Sequence, residues 1–600
     1  MKILINTKKI LAVILLLIFV FSNTYPQITT LEPDKPKFDD TLKVIYNPQA
    51  EGAKFSLNDE VYMVGFLYRH HESRSIWKRM EKQDTLFESE IYIKPGLSFV
   101  SFHFITLTDW DKSVSLSTMI YRDNGLPAKG ALQRKMYHSD IQLADSLFYK
   151  EISLYPDNYS AYRDKWFMAN LTQKSRIDSI VRADMKVLAA KVKGEPVGYL
   201  YAMAYGYLLL KQEEKSRSII KKLIERYPIS PLTGQALDNY EYLAFANQLK
   251  GEGPMEIKEL KRKYIISFPN TRYAREQIRI LAKEEDFPLD VVEKICLLWQ
   301  KEQPDHPWPY YSLATAYFAH HKKLDKASQL MDKAITLMVQ GKLRFYEDIS
   351  GGITKMTLPR AYVRRAKIAK NRKNYAAAIA YLKTAQSLKI ESYPKAYLTE
   401  AKIWQELSIS PKAESAYFRA WREGSVEAED SLRKIYIRKH GNLSDFDTYL
   451  KKFEEQSAIN SSTKTPAPAF HVISLNGEKL DLDALRGKVV VLNFWFIGCA
   501  PCRVEIPGLN KLVEEFKDQD VVFIGFALNN EKELKKFLRN TRFKYHIIAK
   551  SGKIAQKYQV TGYPTHIIID KNGFIQARLT GGNENRHEDL KPIIARLIKK

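Results

Sequence analysis

A chain of 600 residues is longer than one hydrophobic core organises, and its 45% apolar and 27% charged residues are those of an ordinary folded protein. That composition excludes a collagen, a coiled coil and wholesale disorder. The net charge of +25 raises the question of nucleic acid. Lys and Arg are spread along helical segments, however, with no zinc-ligand spacing or recognition signature beside them, so no nucleic acid is expected as a partner.

Residues 1–22 read as a signal peptide: Lys2, Lys8 and Lys9 precede an apolar run from Ile10 to Phe21, with Val20 and Ser22 small enough for a cleavage site nearby. The run is too short for an ordinary spanning helix, although left uncleaved it would tether the protein to a membrane. No cysteine follows it, which argues against a lipoprotein-type attachment at this end. The expectation is an exported protein, in the periplasm or another extracytoplasmic space.

Residues 30–125 alternate apolar and polar with period two, as in Thr41-Leu-Lys-Val-Ile-Tyr, Val61-Tyr-Met-Val-Gly-Phe-Leu-Tyr and Phe99-Val-Ser-Phe-His-Phe-Ile. Asn, Asp, Gly and Pro punctuate the runs, so a small antiparallel β-sandwich is expected. It shows no catalytic constellation, and capping the next domain is its expected role.

Residues 135–455 change to a helical, internally repeated pattern. Ala327, Met331 and Ala334 recur as Ala378, Leu382 and Ala385, and again as Ala413, Tyr417 and Ala420. This small-large-small spacing puts all three side chains on one helical face, where small residues let a neighbouring helix approach. Upstream, helices are expected to end at Pro156, Pro228, Pro269 and Pro304. The segment resembles the tetratricopeptide repeats in a degenerate form, with most of the usual Trp and Gly missing. The resemblance implies an all-α helical-repeat solenoid whose groove takes a peptide or protein ligand; a rigid spacer is the plainer alternative.

A polar linker is expected at 456–464, after which residues 465–600 alternate strands and helices, an α/β texture. Strand-like Val489-Val-Val-Leu-Asn-Phe-Trp-Phe runs into Cys499-Ala-Pro-Cys and a helix. The chain has three cysteines in all. Cys296, in an apolar helical stretch, reads as a buried core thiol. Cys499 and Cys502 could be half of a zinc site, but no second cysteine pair or suitably spaced histidine completes one, and no metal is expected. A helix N-terminus stabilises anions, so Cys499 is expected to be the exposed attacking thiolate and Cys502, one turn on, the buried resolving thiol. Glu505 falls on the same face as Cys502 and is the candidate proton acceptor, against the plain reading of a solvated helix acid.

The segment from Thr465 to Lys600 resembles the TlpA/ResA-type extracytoplasmic thiol–disulfide oxidoreductases. The resemblance rests on Leu485-Arg-Gly-Lys-Val-Val-Val-Leu-Asn-Phe-Trp, Cys499-Ala-Pro-Cys-Arg-Val-Glu-Ile-Pro and Tyr558-x-Val-x-Gly-Tyr-Pro-Thr. It implies a thioredoxin fold and no cofactor beyond a redox-active Cys499–Cys502 disulfide. The family's acidic residue falls on Glu505, its helix-kinking proline on Pro507 and its cis-proline on Pro564. Asn493 stands where cytoplasmic thioredoxins carry a buried Asp, and Gly498 departs from the Trp that usually precedes the first cysteine. Tyr563, Pro564 and Thr565 are expected to meet an extended substrate strand. Trp495 and Pro501 are expected to support the site, Trp495 as core, and His566 reads as structural.

The implied partners are proteins with cysteine pairs as substrates and a membrane thiol transporter as electron donor, with the enzyme acting as a reductase. Sequence leaves the direction open, because dithiol potentials in this fold span about −270 to −120 mV. Two other readings stand beside it: a scaffold whose repeats do the main work, and a thiol peroxidase. The latter needs Pro and Thr ahead of its cysteine, where this chain has Phe494-Trp-Phe-Ile-Gly.

Overall fold

The computed structural model describes residues 27–139, 143–246, 253–346, 352–388, 394–423, 425–460, 466–539, 541–560, 562–582 and 585–598. The expected signal segment, residues 1–22, lies outside them. Among the described residues no helix is long and apolar enough to cross a membrane. The chain divides into two compact units, one reaching Met168 with a returning segment from Leu343, the other holding Ala169–Lys342 and the chain from Gly352 onward.

In the first unit the period-two segments form two four-stranded sheets. One has the order β1 (Thr29–Glu32), β2 (Thr41–Tyr46), β6 (Leu86–Tyr92), β5 (Glu81–Gln83); the other has β4 (Glu72–Arg79), β3 (Tyr62–Arg69), β7 (Leu97–Ile105), β8 (Leu116–Met119). Leu42, Val44, Phe87 and Ile91 from one sheet share a buried core with Met63, Val100, Phe102 and Phe104 from the other, which makes the expected sandwich.

The helices from Ala131 to Met168 belong to this unit, although the helical pattern from 135 onward reads as part of the array. A buried polar cluster ties them in. Glu151 Oε1 accepts from Gly130 N at 2.7 Å and from Asn158 Nδ2 at 2.8 Å, and Asn158 Oδ1 lies 2.6 Å from His70 Nε2 in the β3–β4 turn. The returning segment is held by aromatic packing, with Phe345 stacked on Trp77 at 4.4 Å and against Tyr62 at 5.0 Å.

The second unit begins with paired helices. Pro307–Ala319 packs on Leu324–Val339, Gly352–Asn371 on Tyr375–Ser387, and Pro394–Glu406 on Ser410–Arg422. All nine residues of the small-large-small triads are buried at these joints. Helices end at Leu154, Arg226, Ser267 and Glu302, each just ahead of one of the prolines singled out above. Alternate helices also touch in a row: Arg272–Leu281 on Pro307–Ala319, that helix on Gly352–Asn371, and that on Pro394–Glu406. The last helix, Phe446–Asn460, continues into the stretch expected as linker, where Gln456 and Ala458 are good helix formers.

The C-terminal domain is a five-stranded sheet of order β13 (His546–Ile548), β12 (Val521–Ala527), β11 (Val489–Trp495), β14 (Thr565–Ile569), β15 (Ile575–Thr580). β11 is parallel to β12 and antiparallel to β14. Alternation along β11 feeds two cores. Val489, Val491 and Trp495 face the Ala500–Glu515 and Arg586–Ile598 helices, while Val490, Leu492 and Phe494 face the hairpin of β9 (His471–Ile473) and β10 (Lys479–Asp481). This parity aims Asn493 at the Ala500–Glu515 helix, the one polar side chain in an otherwise apolar strand.

Candidate active site

β11 ends at Trp495, and the next turn delivers Cys499 as the N-cap of the Ala500–Glu515 helix. Its sulfur accepts from the Cys502 N–H at 3.3 Å. Pro501, in the first turn, occupies a position where a missing N–H costs nothing. Cys499 and Cys502 form a disulfide with Cα atoms 5.3 Å apart. The Tyr563–Pro564 bond is cis. Cys296 is buried in the Leu289–Glu302 helix, where burial pushes its thiol pKa up and leaves it protonated and inert.

Cys502 is buried as expected, but Cys499 is buried too, at 6% exposure. Phe496, Ile497 and Tyr563 pack on the core that contains both sulfurs. Phe496 and Tyr563 meet edge to face at 5.5 Å. In addition, the Pro231–Ala246 helix of the array lies against the cysteine helix, and the Tyr242 hydroxyl donates to the Gly498 carbonyl at 3.5 Å.

Glu505 is far from a solvated helix acid: its side chain has no exposed surface. Asn493 Nδ2 donates to Oε1 at 3.2 Å, and His566 Nε2 lies 3.1 Å from Oε2. Asn493 and His566 are cross-strand neighbours on β11 and β14, so the sheet register brings both to one carboxylate. His566 Nδ1 meets no protein partner, which fits the tautomer that carries its proton on Nε2 and donates it to Glu505. Tyr545 lies beside this group; burial first, then the charge of Glu505, raises its pKa well above the phenol range. His566, expected to be structural, is thus in direct contact with Glu505.

The carboxylate is close to the reactive turn. A Cβ built on Gly582 would come within 2.5 Å of Glu505 Oε2, 2.7 Å of Pro564 Cγ and 3.0 Å of the Pro501 carbonyl. Gly582→Ala is therefore expected to destabilise the domain by about 1–3 kcal/mol through overpacking. A lowered midpoint in chemical denaturation, together with slower disulfide exchange, would show it.

The remaining expected residues divide by geometry. Trp495 is fully buried against Phe537 and Phe543, a core residue. Pro507 lies within the cysteine helix and removes the N–H that would bond to the carbonyl of Arg503. The Thr565 hydroxyl bonds to the Gly562 carbonyl at 2.8 Å and lies 2.9 Å from Thr580 Oγ1, so it braces the loop and does not point to solvent. Among the described residues no group of three or more His, Cys, Asp or Glu is placed to hold a metal.

Residues 463–578 match the model of the AhpC/TSA family. The "Thioredoxin-like protein YneN" of Bacillus subtilis (strain 168) is 36% identical over 134 residues, 22% of this chain and 76% of its own length. A "Thiol-disulfide oxidoreductase ResA" of Bacillus anthracis is 35% identical over 133 residues, with the same coverage of 22% and 76%. A solved structure described as a putative thiol:disulfide interchange protein DsbE from Chlorobium tepidum aligns with 23% of this chain and 98% of its own, at 27% identity and a TM-score of 0.22. With their identity and coverage, the two Bacillus relatives place the chain, through its C-terminal domain and its helix-capping cysteine pair, in the ResA-like family of thioredoxin-fold thiol–disulfide oxidoreductases.

Proposed function

We propose that the protein is an extracytoplasmic reductase of protein disulfides, fed with electrons by a membrane thiol donor. The observation that carries the reading is the buried Glu505 carboxylate, one turn beyond Cys502 on the helix that Cys499 caps and close to the Pro501 carbonyl. In the dithiol form the Cys499 thiolate attacks a target disulfide, one S–S bond forms as another breaks, and the first target sulfur leaves as a thiolate. The Cys502 thiol passes its proton to Glu505 and attacks Cys499, releasing the second target sulfur; two electrons have moved to the target, and the Cys499–Cys502 disulfide remains. Asn493 and His566 hold the carboxylate in place for this transfer. Tyr563 and Pro564 offer the main chain of their loop to an extended segment of the target, and the helical array recruits or orients it. The apolar run at Ile10–Phe21 supports export.

Equilibration of the purified full chain with graded thiol buffers tests the direction. The expected result is a reversible two-electron couple near the reducing end of the fold's range, at about −270 mV. A couple near −120 mV, roughly the oxidising end, would make the protein a disulfide donor and end the reductase reading. If no couple appears, the scaffold reading replaces it.

A further inference from the structure

The helical array carries a row of cations that the redox chemistry does not use. Along the Gly352–Asn371 helix, Arg360, Arg364 and Lys367 follow one another at spacings of four and three residues, a single face. Lys395 and Lys402 lie seven residues apart on the face of the next helix in the row, Pro394–Glu406. Lys283 follows the Arg272–Leu281 helix at the other end. These helices belong to the layer in which alternate helices touch, so charges more than a hundred residues apart in sequence come together.

Other cations at the helix joints have an acid opposite. On the same Gly352–Asn371 helix, Arg365 pairs with Asp332 at 2.7 Å, and Lys370 pairs with Glu406. On the row's own face only Lys402 has such a partner, Glu427 at 2.5 Å; Lys283, Arg360, Arg364, Lys367 and Lys395 have none among the described residues. Arg364 lies over the Phe318 ring at 5.5 Å, which fixes its place in the row without neutralising it.

The repulsion is felt within the fold. Burial first, then the positive charges of Arg364, Lys395 and Lys402, pulls the pKa of Lys367 below the ordinary lysine value, with Glu427 opposing weakly. Lys283, exposed by surface area, is shifted the same way by the surrounding protein and by Arg364, Arg360 and Lys395. Like charges gathered on a partly enclosed face are costly, and a ligand bringing negative charge removes that cost as it binds.

We propose that this row is a docking site for an acidic polypeptide segment, whose carboxylates enter between Arg364, Lys367 and Lys395. An extended chain fits the observations better than a membrane surface, because Lys367 is half-buried between helices where a flat bilayer does not reach. The proposal gives a ligand chemistry to the recruiting role suggested for the array, and it stands apart from the cysteine pair.

The test uses the full chain and a fluorescent glutamate-rich peptide, with a glutamine-rich peptide of equal length as control. Anisotropy should show binding of the acidic peptide only, weakening as salt rises. Arg364→Glu with Lys367→Glu should reduce affinity about tenfold or more, the scale of one lost charge-assisted contact. Lys186→Glu, an exposed cation on the Ile177–Lys191 helix, should leave it unchanged. Lys367→Gln alone, in the free protein, should raise the melting temperature, because it removes a repelled charge; a solvated face would not respond. Equal losses from the two charge-reversal variants, equal binding of the glutamine peptide, or tighter binding to anionic vesicles or to a phosphodiester oligomer of matched charge would overturn the proposal. A loss of peptide binding with disulfide reduction intact would leave the enzymatic reading standing, and the reverse would leave this one.

Discussion

Cys499→Ser will abolish disulfide reduction, and Cys502→Ser will halt it one step later, with the target covalently held. The first variant removes the sulfur that opens the reaction, so exchange should fall to the rate of the uncatalysed background. The second keeps the attacking sulfur at the helix N-cap but removes the thiol that would displace the target from it. Incubated with an oxidised protein substrate, Cys502→Ser should accumulate an adduct that runs at the summed mass on a non-reducing gel and dissolves in excess dithiol. Adduct formation by Cys499→Ser as well would mean that the two sulfurs exchange roles. The assignment of attacking and resolving thiols would then be wrong.

The second large effect belongs to Glu505. Its side chain is sealed from water, with donors from Asn493 and His566 on its two oxygens, one turn beyond Cys502 on the same helix. Glu505→Gln keeps the shape and removes the proton acceptor, so resolution of a preformed mixed disulfide should slow by about 10²-fold or more near neutrality. His566 acts through it. His566→Leu removes a donor that holds the carboxylate in place, so resolution of a preformed mixed disulfide should slow while its formation by Cys499 is unchanged, and His566→Gln, which restores an N–H at similar reach, should bring the rate back. If His566→Leu lowers stability but leaves the resolution rate in place, the histidine is only structural. If Glu505→Gln keeps the wild-type rate, the proton goes elsewhere.

How much of this was legible beforehand follows from the range of each signal. Strand alternation, the prolines after helix ends and the small-large-small triads are local patterns, and the elements they announce appear where expected. The cysteine pair is also a local motif. Glu505 was visible as a same-face neighbour of Cys502, but its burial was not, because the covering atoms come from β11, β14 and the Gly582 turn. His566 carried a usable sign: a polar residue within the apolar run Thr565–Ile569, on the strand face that also receives Asn493. What local reading missed is long-range. It includes the return of Phe345 to the sandwich, the covering of Cys499, and a row of cations assembled from helices far apart in sequence.

Among the described residues the redox domain touches the array in at least two separated places. Tyr242 meets the carbonyl beside Cys499, while at the far helix Arg596 lies over the Trp421 ring at 4.8 Å and donates to the Arg422 carbonyl at 3.0 Å. A domain on a free tether sweeps a volume, and a captured target sees its dithiol at the dilute average of that volume. Two moorings remove the sweep. A target bound to the array, as proposed above, would then see the cysteines at a fixed bearing, and its effective concentration would be set by where its own disulfide falls along the chain, as on a ruler. Targets whose cysteines lie at the wrong distance from the bound segment would gain nothing from capture, so selection among substrates would become a matter of spacing as well as chemistry.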